Sequence, residues 1–132
     1  MKLDARAERN LVGVHPDLVK VVRRAAELTP LDFTVTCGPR TLREQKILFA
    51  KGASKTMRSR HIPGGPLNVS HAVDLAPMIS GVVKWDWPLF HKLTPAMKKA
   101  AAELKVPIEW GGDWKSFKDG PHWQLPWKQY PI

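Results

Sequence analysis

Apolar residues first recur at helical spacing just after His15-Pro16-Asp17, which predicts a helix with one buried face. That face consists of Leu18, Val19, Val22, Ala25, Ala26 and Leu28. We expect the helix to end at Thr29-Pro30, because the residue before a proline is disfavoured in the helical conformation. Residues 33–37 are aromatic and β-branched, which predicts a strand. Thr41 with Glu44 three residues later has the pattern of a capping box and predicts a second helix that ends near Gly52.

The second half of the chain alternates loops with short strands. Residues 54–70 are polar and contain glycine and proline, which predicts a long loop of the kind that more often serves a function. Residues 72–76 predict a buried strand, 81–85 the arm of a hairpin, 95–105 a third helix, and 108–110 and 122–125 two further strands. We therefore predict an α+β fold, in which residues 1–132 form one small domain with a mostly antiparallel sheet and packed helices.

Composition and charge limit the classes of protein that this chain can belong to, but they do not identify its function. The chain is 43% hydrophobic and 25% charged, as in an ordinary globular protein, and its formal charge is +9. That field attracts anionic polymers such as nucleic acid or acidic wall material, although the basic residues are spread out and suit a solvated surface equally well. The N-terminus is charged, without the apolar core of an export signal, and no stretch is apolar enough to predict a membrane span.

The single cysteine limits the chemistry that a metal site could use. Cys37 excludes an internal disulfide framework and a thiolate-rich structural zinc site, and we expect it to be a small buried hydrophobe. Any metal would then be held by histidine and carboxylate. His61, Asp74 and His122 are such a set, because three protein ligands leave the fourth position of zinc open for water. Asp119, three residues before His122, could take the proton from that water.

Several short motifs occur together in one order along the chain: Arg40-Thr41, Ser59-Arg60-His61, Ala72-Val73-Asp74, Trp110-Gly111-Gly112-Asp113-Trp114 and Asp119-Gly120-Pro121-His122. In this order they resemble the D-Ala-D-Ala carboxypeptidase-like (VanY-type) zinc peptidases. More narrowly, the chain resembles the phage endolysins of that family, which act as L-alanyl-D-glutamate peptidases on peptidoglycan. The resemblance extends from about residue 16 to residue 125.

The resemblance implies a role for each of seven residues. It implies that His61, Asp74 and His122 bind Zn²⁺ and that Asp119 is the general base. It also implies that Arg40 grips a substrate carboxylate, that Ser59 supports the site, and that Gln45 is a weaker candidate for substrate contact.

One departure from the family pattern leaves an alternative for the first ligand. Twelve residues separate His61 from Asp74, where the family usually has a turn about half that long, so we interpret 63–70 as containing an insertion. The rival assignment makes His71 the ligand. His71 and Asp74 are three positions apart on a predicted strand, and odd offsets there point to opposite faces, so we favour His61.

The function that the resemblance implies is a monomeric endolysin that hydrolyses the L-Ala–D-Glu bond of the peptidoglycan stem and lyses the host. It would be made in the host cytoplasm and act on the wall after release, without a specific nucleic-acid partner. A D-Ala-D-Ala carboxypeptidase or dipeptidase is the alternative within the same class. A basic module that binds cell wall or nucleic acid without catalysis is the alternative outside it, and it predicts salt-sensitive binding that survives chelation.

Overall fold

The computed structural model describes residues 1–54 and 56–132, so Lys55, within the predicted long loop, lies outside the described residues. The helices are α1 (Ala5–Leu11), α2 (Pro16–Leu28), α3 (Leu42–Ala50) and α4 (Trp87–Leu104). The strands are β1 (Phe33–Cys37), β2 (Ala72–Ile79), β3 (Val82–Val83), β4 (Glu109–Trp110) and β5 (His122–Gln124). A short 3-10 helix, Gly111–Asp113, follows β4.

The strands form one antiparallel sheet in the order β1-β2-β5-β4, and β3 pairs with the far end of β2. The long strand β2 is therefore central, with β1 on one side and β5 on the other. The small α+β domain with an antiparallel sheet that the sequence predicts is confirmed.

The two faces of the sheet have different surroundings because side chains alternate along a strand. Val73, Leu75 and Trp123 belong to the core that the sheet shares with α2 and α4. Asp74 lies between Val73 and Leu75, and His122 lies next to Trp123, so both point to the opposite face. This alternation leaves one face of the sheet for packing and the other for chemistry.

The first half of the chain follows its local sequence signals closely. His15 caps α2, because its Nδ1 accepts the Asp17 backbone N–H at 3.0 Å. The capping box of α3 is present in full, with Thr41 and Glu44 each accepting the other's backbone N–H at 3.0 Å. The predicted ends of β1 and of α2 are confirmed.

The predicted start of the last helix is wrong, since α4 begins at Trp87 and not at residue 95. Pro88 lies in the first turn, where a helix does not need the missing N–H, and Pro95 lies inside the helix. Phe90 and Leu93, between the two prolines, are buried in the core, and this burial offsets the backbone hydrogen bond that Pro95 cannot make. Among the described residues, no helix is both long and apolar enough to cross a lipid bilayer.

Candidate active site

Three side chains of the candidate site come from directly opposed positions on neighbouring strands. Asp74 pairs with Cys37 of β1 on one side and with His122 of β5 on the other. Opposed residues of antiparallel strands share a face of the sheet, so the register brings these three side chains together. The sheet thus fixes the carboxylate between a thiol and an imidazole.

His61 reaches the same place from the loop before β2 and is fixed by hydrogen bonds on several sides. Its backbone N–H donates to Ser59 Oγ at 3.1 Å, and its carbonyl accepts the Arg40 backbone N–H at 2.9 Å. Its Nδ1 lies 2.8 Å from the Gly38 carbonyl oxygen, which can only accept, so Nδ1 carries the proton. The other ring nitrogen, Nε2, then faces Asp74 Oδ1 at 3.2 Å.

His122 is oriented in the opposite sense by the side chain of Gln124. Its Nε2 donates to Gln124 Oε1 at 2.7 Å, while its Nδ1 lies 3.4 Å from Asp74 Oδ1. Gln124 Nε2 donates to Glu109 Oε2 at 3.2 Å, which fixes which end of the amide faces the imidazole. Each histidine therefore has one nitrogen held by an acceptor and the other directed at the same carboxylate oxygen, as in metal sites whose ligands are oriented by outer hydrogen bonds.

Cys37 belongs to this site, although the sequence predicts only a small buried hydrophobe at this position. Donor atoms of Cys37, His61 and Asp74 all lie within 4.8 Å of one another, so they form a possible metal-binding group. The Cys37 Sγ lies 3.7 Å from His61 Nδ1, the nitrogen that donates to Gly38, and 3.5 Å from Arg40 Nη2. Cys37 is half-buried rather than an inert core residue. Only the strand register, which sequence alone does not give, opposes it to Asp74.

The charges of the cluster are strongly coupled. Burial disfavours the charged form of His61, but the Asp74 carboxylate outweighs it and raises the pKa of His61 to about 10. Burial also opposes ionisation of Asp74, yet the charge of His61 and the adjacent His122 imidazole hold the pKa of that carboxyl far below its usual range. In the absence of a metal, Asp74 is thus an anion surrounded by imidazole, and a cation can replace the proton on His61.

Asp119 lines the same cleft, and its pKa is shifted in the opposite direction from that of Asp74. Burial, together with the negative charge of Asp74, raises the pKa of Asp119. Its position is fixed by the tight turn after β4, where the Asp119 backbone N–H donates to the Gly111 carbonyl at 3.0 Å. A Cβ on Gly111 would collide with the Asp119 backbone, so only glycine permits this approach.

The cleft has a volume of about 630 Å³ and is open to solvent. Its wall combines the cluster with basic and aromatic side chains: Arg40, Arg58, Ser59, His61, Asp74, Trp114, Phe117, Lys118, Asp119, His122 and Trp127. The ring of Trp114 lies 5.2 Å from that of His122. The site is therefore accessible to a peptide and not enclosed by protein.

Gln45 is fully buried, although the sequence analysis considered it for substrate contact. Its Oε1 accepts from Arg40 Nη1 at 2.8 Å, and its Nε2 donates to Ser54 Oγ at 2.8 Å and to the Thr56 carbonyl. All its polar atoms are therefore engaged within the protein, and its effect on the cleft passes through Arg40.

His71, the rival first ligand, lies away from the cleft. Its ring is 5.4 Å from that of His15 and 6.5 Å from that of Tyr130, in a second, smaller cavity of about 300 Å³. Burial, with the charges of Arg60 and His15, lowers the pKa of His71 to about 4. The structure therefore brings His61, and not His71, to Asp74.

Comparison with known proteins shows the family. The model of the phage L-alanyl-D-glutamate peptidase family matches residues 1–124, and the chain belongs to this family. The chain is 36% identical over 122 residues to the L-alanyl-D-glutamate peptidase of Escherichia phage T5, an alignment that covers 89% of this chain and 85% of that one. It is 29% identical over 111 residues to the peptidoglycan L-alanyl-D-glutamate endopeptidase CwlK of Bacillus subtilis, covering 79% and 66%.

Solved structures agree with the family and with the predicted fold. The crystal structure of the Serratia marcescens L-Ala D-Glu endopeptidase ChiX matches with a TM-score of 0.88 and 43% identity, over 99% of this chain and 95% of that one. The vancomycin-resistance D,D-dipeptidase VanXYg matches with a TM-score of 0.51 and 14% identity, over 85% and 50%. The second comparison shows that this chain and VanXYg share a fold, and it carries no conclusion about a shared activity.

Proposed function

We propose that this chain is a zinc peptidase that hydrolyses the L-Ala–D-Glu bond of peptidoglycan stem peptides, with residues 1–132 as its catalytic domain and host-cell lysis as its result. Membership of the family supports the reaction. One observation carries the mechanism: two imidazoles, each oriented by an acceptor on one nitrogen, direct the other nitrogen at Asp74 in an open cleft.

The donor set fits a catalytic zinc ion. His61 Nε2, Asp74 and His122 Nδ1 would hold it, and the Gly38 carbonyl and Gln124 supply the outer acceptors that metal-ligating histidines usually have. When bound, zinc polarises the scissile carbonyl and lowers the pKa of water to about 7. Cys37 fits less well as the third ligand, because it lies beside His61 Nδ1, the nitrogen already used by Gly38.

Asp119 would act as the general base of the reaction. Its carboxylate lines the cleft with the three ligands and is not one of them. A raised pKa suits this role, because a base is most effective when its pKa is near the working pH. Asp119 would accept a proton from water as the carbonyl is attacked and pass it to the leaving amine.

Arg40 would hold the free carboxylate of D-Glu. Its guanidinium is fixed by Gln45 on one side and by the Cys37 thiol on the other, so little rotamer entropy is lost when a carboxylate binds. Ser59 would support His61 rather than react, since its Oγ accepts the His61 backbone N–H.

The experiment that tests this function compares wild type with Asp119→Asn on purified peptidoglycan. The new amino termini are identified by mass spectrometry and the zinc content is measured in the same samples. Asp119→Asn should keep its zinc and lose about 10²- to 10⁴-fold in rate, the usual contribution of a positioned base. Asp113→Asn is the matched control, because Asp113 is an exposed carboxylate of the same loop, paired with Lys98.

Three results would contradict the proposal. Release of D-Ala without new D-Glu termini would indicate a carboxypeptidase, and wall binding that survives a strong chelator without hydrolysis would indicate a binding module. An Asp119→Asn protein as active as Asp113→Asn would remove the assignment of the base.

A further inference from the structure

The loop 63–70 and the C-terminal residues 125–132 pack against each other in this structure. The family model ends at Gln124, which leaves residues 125–132 outside it, and the loop 63–70 contains the interpreted insertion. A Cβ built on Gly64 would lie 3.0 Å from Ile132 Cγ2, and one on Gly65 would lie 3.6 Å from the Pro131 carbonyl oxygen. The loop 63–70 therefore contacts the end of the C-terminal segment.

The buried guanidinium of Arg60 also holds the C-terminal segment by hydrogen bonds. Arg60 donates to the Leu125 carbonyl from Nε and Nη2, at 3.1 and 2.9 Å, and to the Tyr130 carbonyl at 2.9 Å. The Tyr130 hydroxyl in turn donates to Asp17 Oδ2 at 2.7 Å. These bonds fix both ends of the stretch that contains Trp127.

Trp127 is brought by this anchoring to the wall of the catalytic cleft. Arg60 lies 4.2 Å from the centre of a Trp127 ring and Arg58 lies 4.5 Å from it. The two guanidiniums differ in how far their N–H groups are already hydrogen-bonded within the protein. Arg60 is buried, and its Nε and Nη2 donate to backbone carbonyls, whereas Arg58 is exposed and also lines the cleft. Within residues 1–54 and 56–132, no carboxylate or other acceptor pairs with the Arg58 guanidinium.

An arginine stacked on an indole keeps its N–H edge available while its position is restrained. This is a suitable arrangement for a carboxylate, which guanidinium binds through two parallel hydrogen bonds. We propose that Arg58, held against Trp127, is a second carboxylate-binding subsite of the cleft. It would take the carboxylate of the stem peptide that lies beyond D-Glu, while Arg40 takes that of D-Glu itself.

This inference rests on the proposed function, because it assumes that a stem peptide occupies the cleft. A peptide cut before D-Glu carries the free carboxylate of D-Glu and the carboxylate at its own C-terminus. The cleft presents two separate guanidiniums, Arg40 and Arg58, for these two groups.

The test uses the zinc-loaded protein and two synthetic peptides, N-acetyl-L-Ala-γ-D-Glu-L-Lys with a free C-terminal carboxylate and the same peptide as its C-terminal amide. The measured quantity is the ratio of kcat/KM for the two peptides. We expect wild type to favour the free acid roughly tenfold, the size of a charge-assisted hydrogen bond in a half-exposed site. Arg58→Gln and Trp127→Ala should bring the ratio close to one by lowering kcat/KM for the acid alone.

Two controls separate a specific subsite from general effects. Arg43→Gln removes one positive charge from the exposed face of α3, outside the cleft, and should keep the wild-type ratio. Trp127→Phe keeps an aromatic face and should keep most of the preference. Should Trp127→Ala fail to fold, as its thermal melting would reveal, the exposed Arg58→Gln variant decides the result without it.

The proposal is overturned when Arg58→Gln keeps the preference for the acid, or when Arg43→Gln loses as much of it. A wild-type protein that cleaves both peptides equally also overturns it and leaves the peptidase assignment intact. A wild-type protein that cleaves neither contradicts the proposed function instead. Calorimetry with γ-D-Glu-L-Lys and its amide then tests the subsite by itself, and equal affinities count against it.

Discussion

The hydrogen bond between Gln124 and His122 offers a direct test of how the candidate metal site is built. In Gln124→Leu the side-chain volume is nearly kept, but the acceptor 2.7 Å from His122 Nε2 is lost. An N–H left unpaired in a buried position costs about 1–3 kcal/mol. The imidazole can avoid that cost by rotating or by moving its proton to Nδ1, and either change withdraws the Nδ1 lone pair from the side of Asp74.

The expected result is a zinc affinity about 10- to 100-fold weaker, the usual effect of removing an outer-shell partner, or about 1.4–2.7 kcal/mol. The affinity is measured by competition with a chromogenic chelator, and kcat is measured at saturating zinc. Since all three ligands and Asp119 remain, kcat should recover to within a few-fold of wild type. Gln129→Leu is the matched control, because Gln129 is an exposed glutamine outside the cleft.

A Gln124→Leu protein that binds zinc as tightly as wild type would refute this reasoning. It would mean that the acceptor does not determine which nitrogen of His122 faces the ion. Equal weakening in Gln129→Leu would point instead to a loss of stability in both variants, which a thermal melt of the metal-free proteins would reveal.

Two further predictions follow from the same geometry. Gln45→Leu should raise KM for a stem peptide roughly tenfold with little change in kcat, because Arg40 loses the partner that orients it while the ligands stay in place; a lower kcat at unchanged KM would contradict this. In the metal-free protein the pKa of His61 is about 10, so at neutral pH zinc must displace its proton. Calorimetry in two buffers of different ionisation enthalpy should show about one proton released per zinc, and zinc affinity should rise with pH up to about 10. Zinc binding without proton release would show that His61 is neutral before the metal binds.

The elements that the sequence predicts well are those with a strong local signal. The capping box at Thr41 and the proline after Thr29 act within a few residues, so α2 and α3 begin or end where these signals lie. The start of α4 was missed because Pro95 is a local signal against helix, whereas burial of Phe90 and Leu93 depends on the sheet and α2. Tertiary packing decided that boundary.

Some residues of the candidate site can likewise be predicted from the sequence, whereas others are brought there only by the fold. Its histidines and carboxylates could be proposed from motif order, because their residue types are the ones that zinc chemistry requires. The neighbours that orient them could not, because Cys37 meets Asp74 only through strand register and Gln124 meets His122 only through side-chain rotamers. The full burial of Gln45 and its hydrogen bond with Arg40 also appear only in three dimensions.

The long connection between His61 and Asp74 keeps these two proposed ligands together for a reason visible at its base. The His71 backbone N–H donates to the Arg60 carbonyl at 2.8 Å, so the residue before His61 is tied to the residue before β2, the strand of Asp74. Residues 61–70 form a loop that this hydrogen bond closes, and the entropic cost of closing a loop grows only slowly with its length. Arg60 also donates to the Leu125 carbonyl, just after the strand of His122. The same residue therefore links the segment of His61 to the segment of His122. An insertion at this point can therefore reshape the surface that supports the C-terminal segment without moving His61 relative to Asp74 and His122.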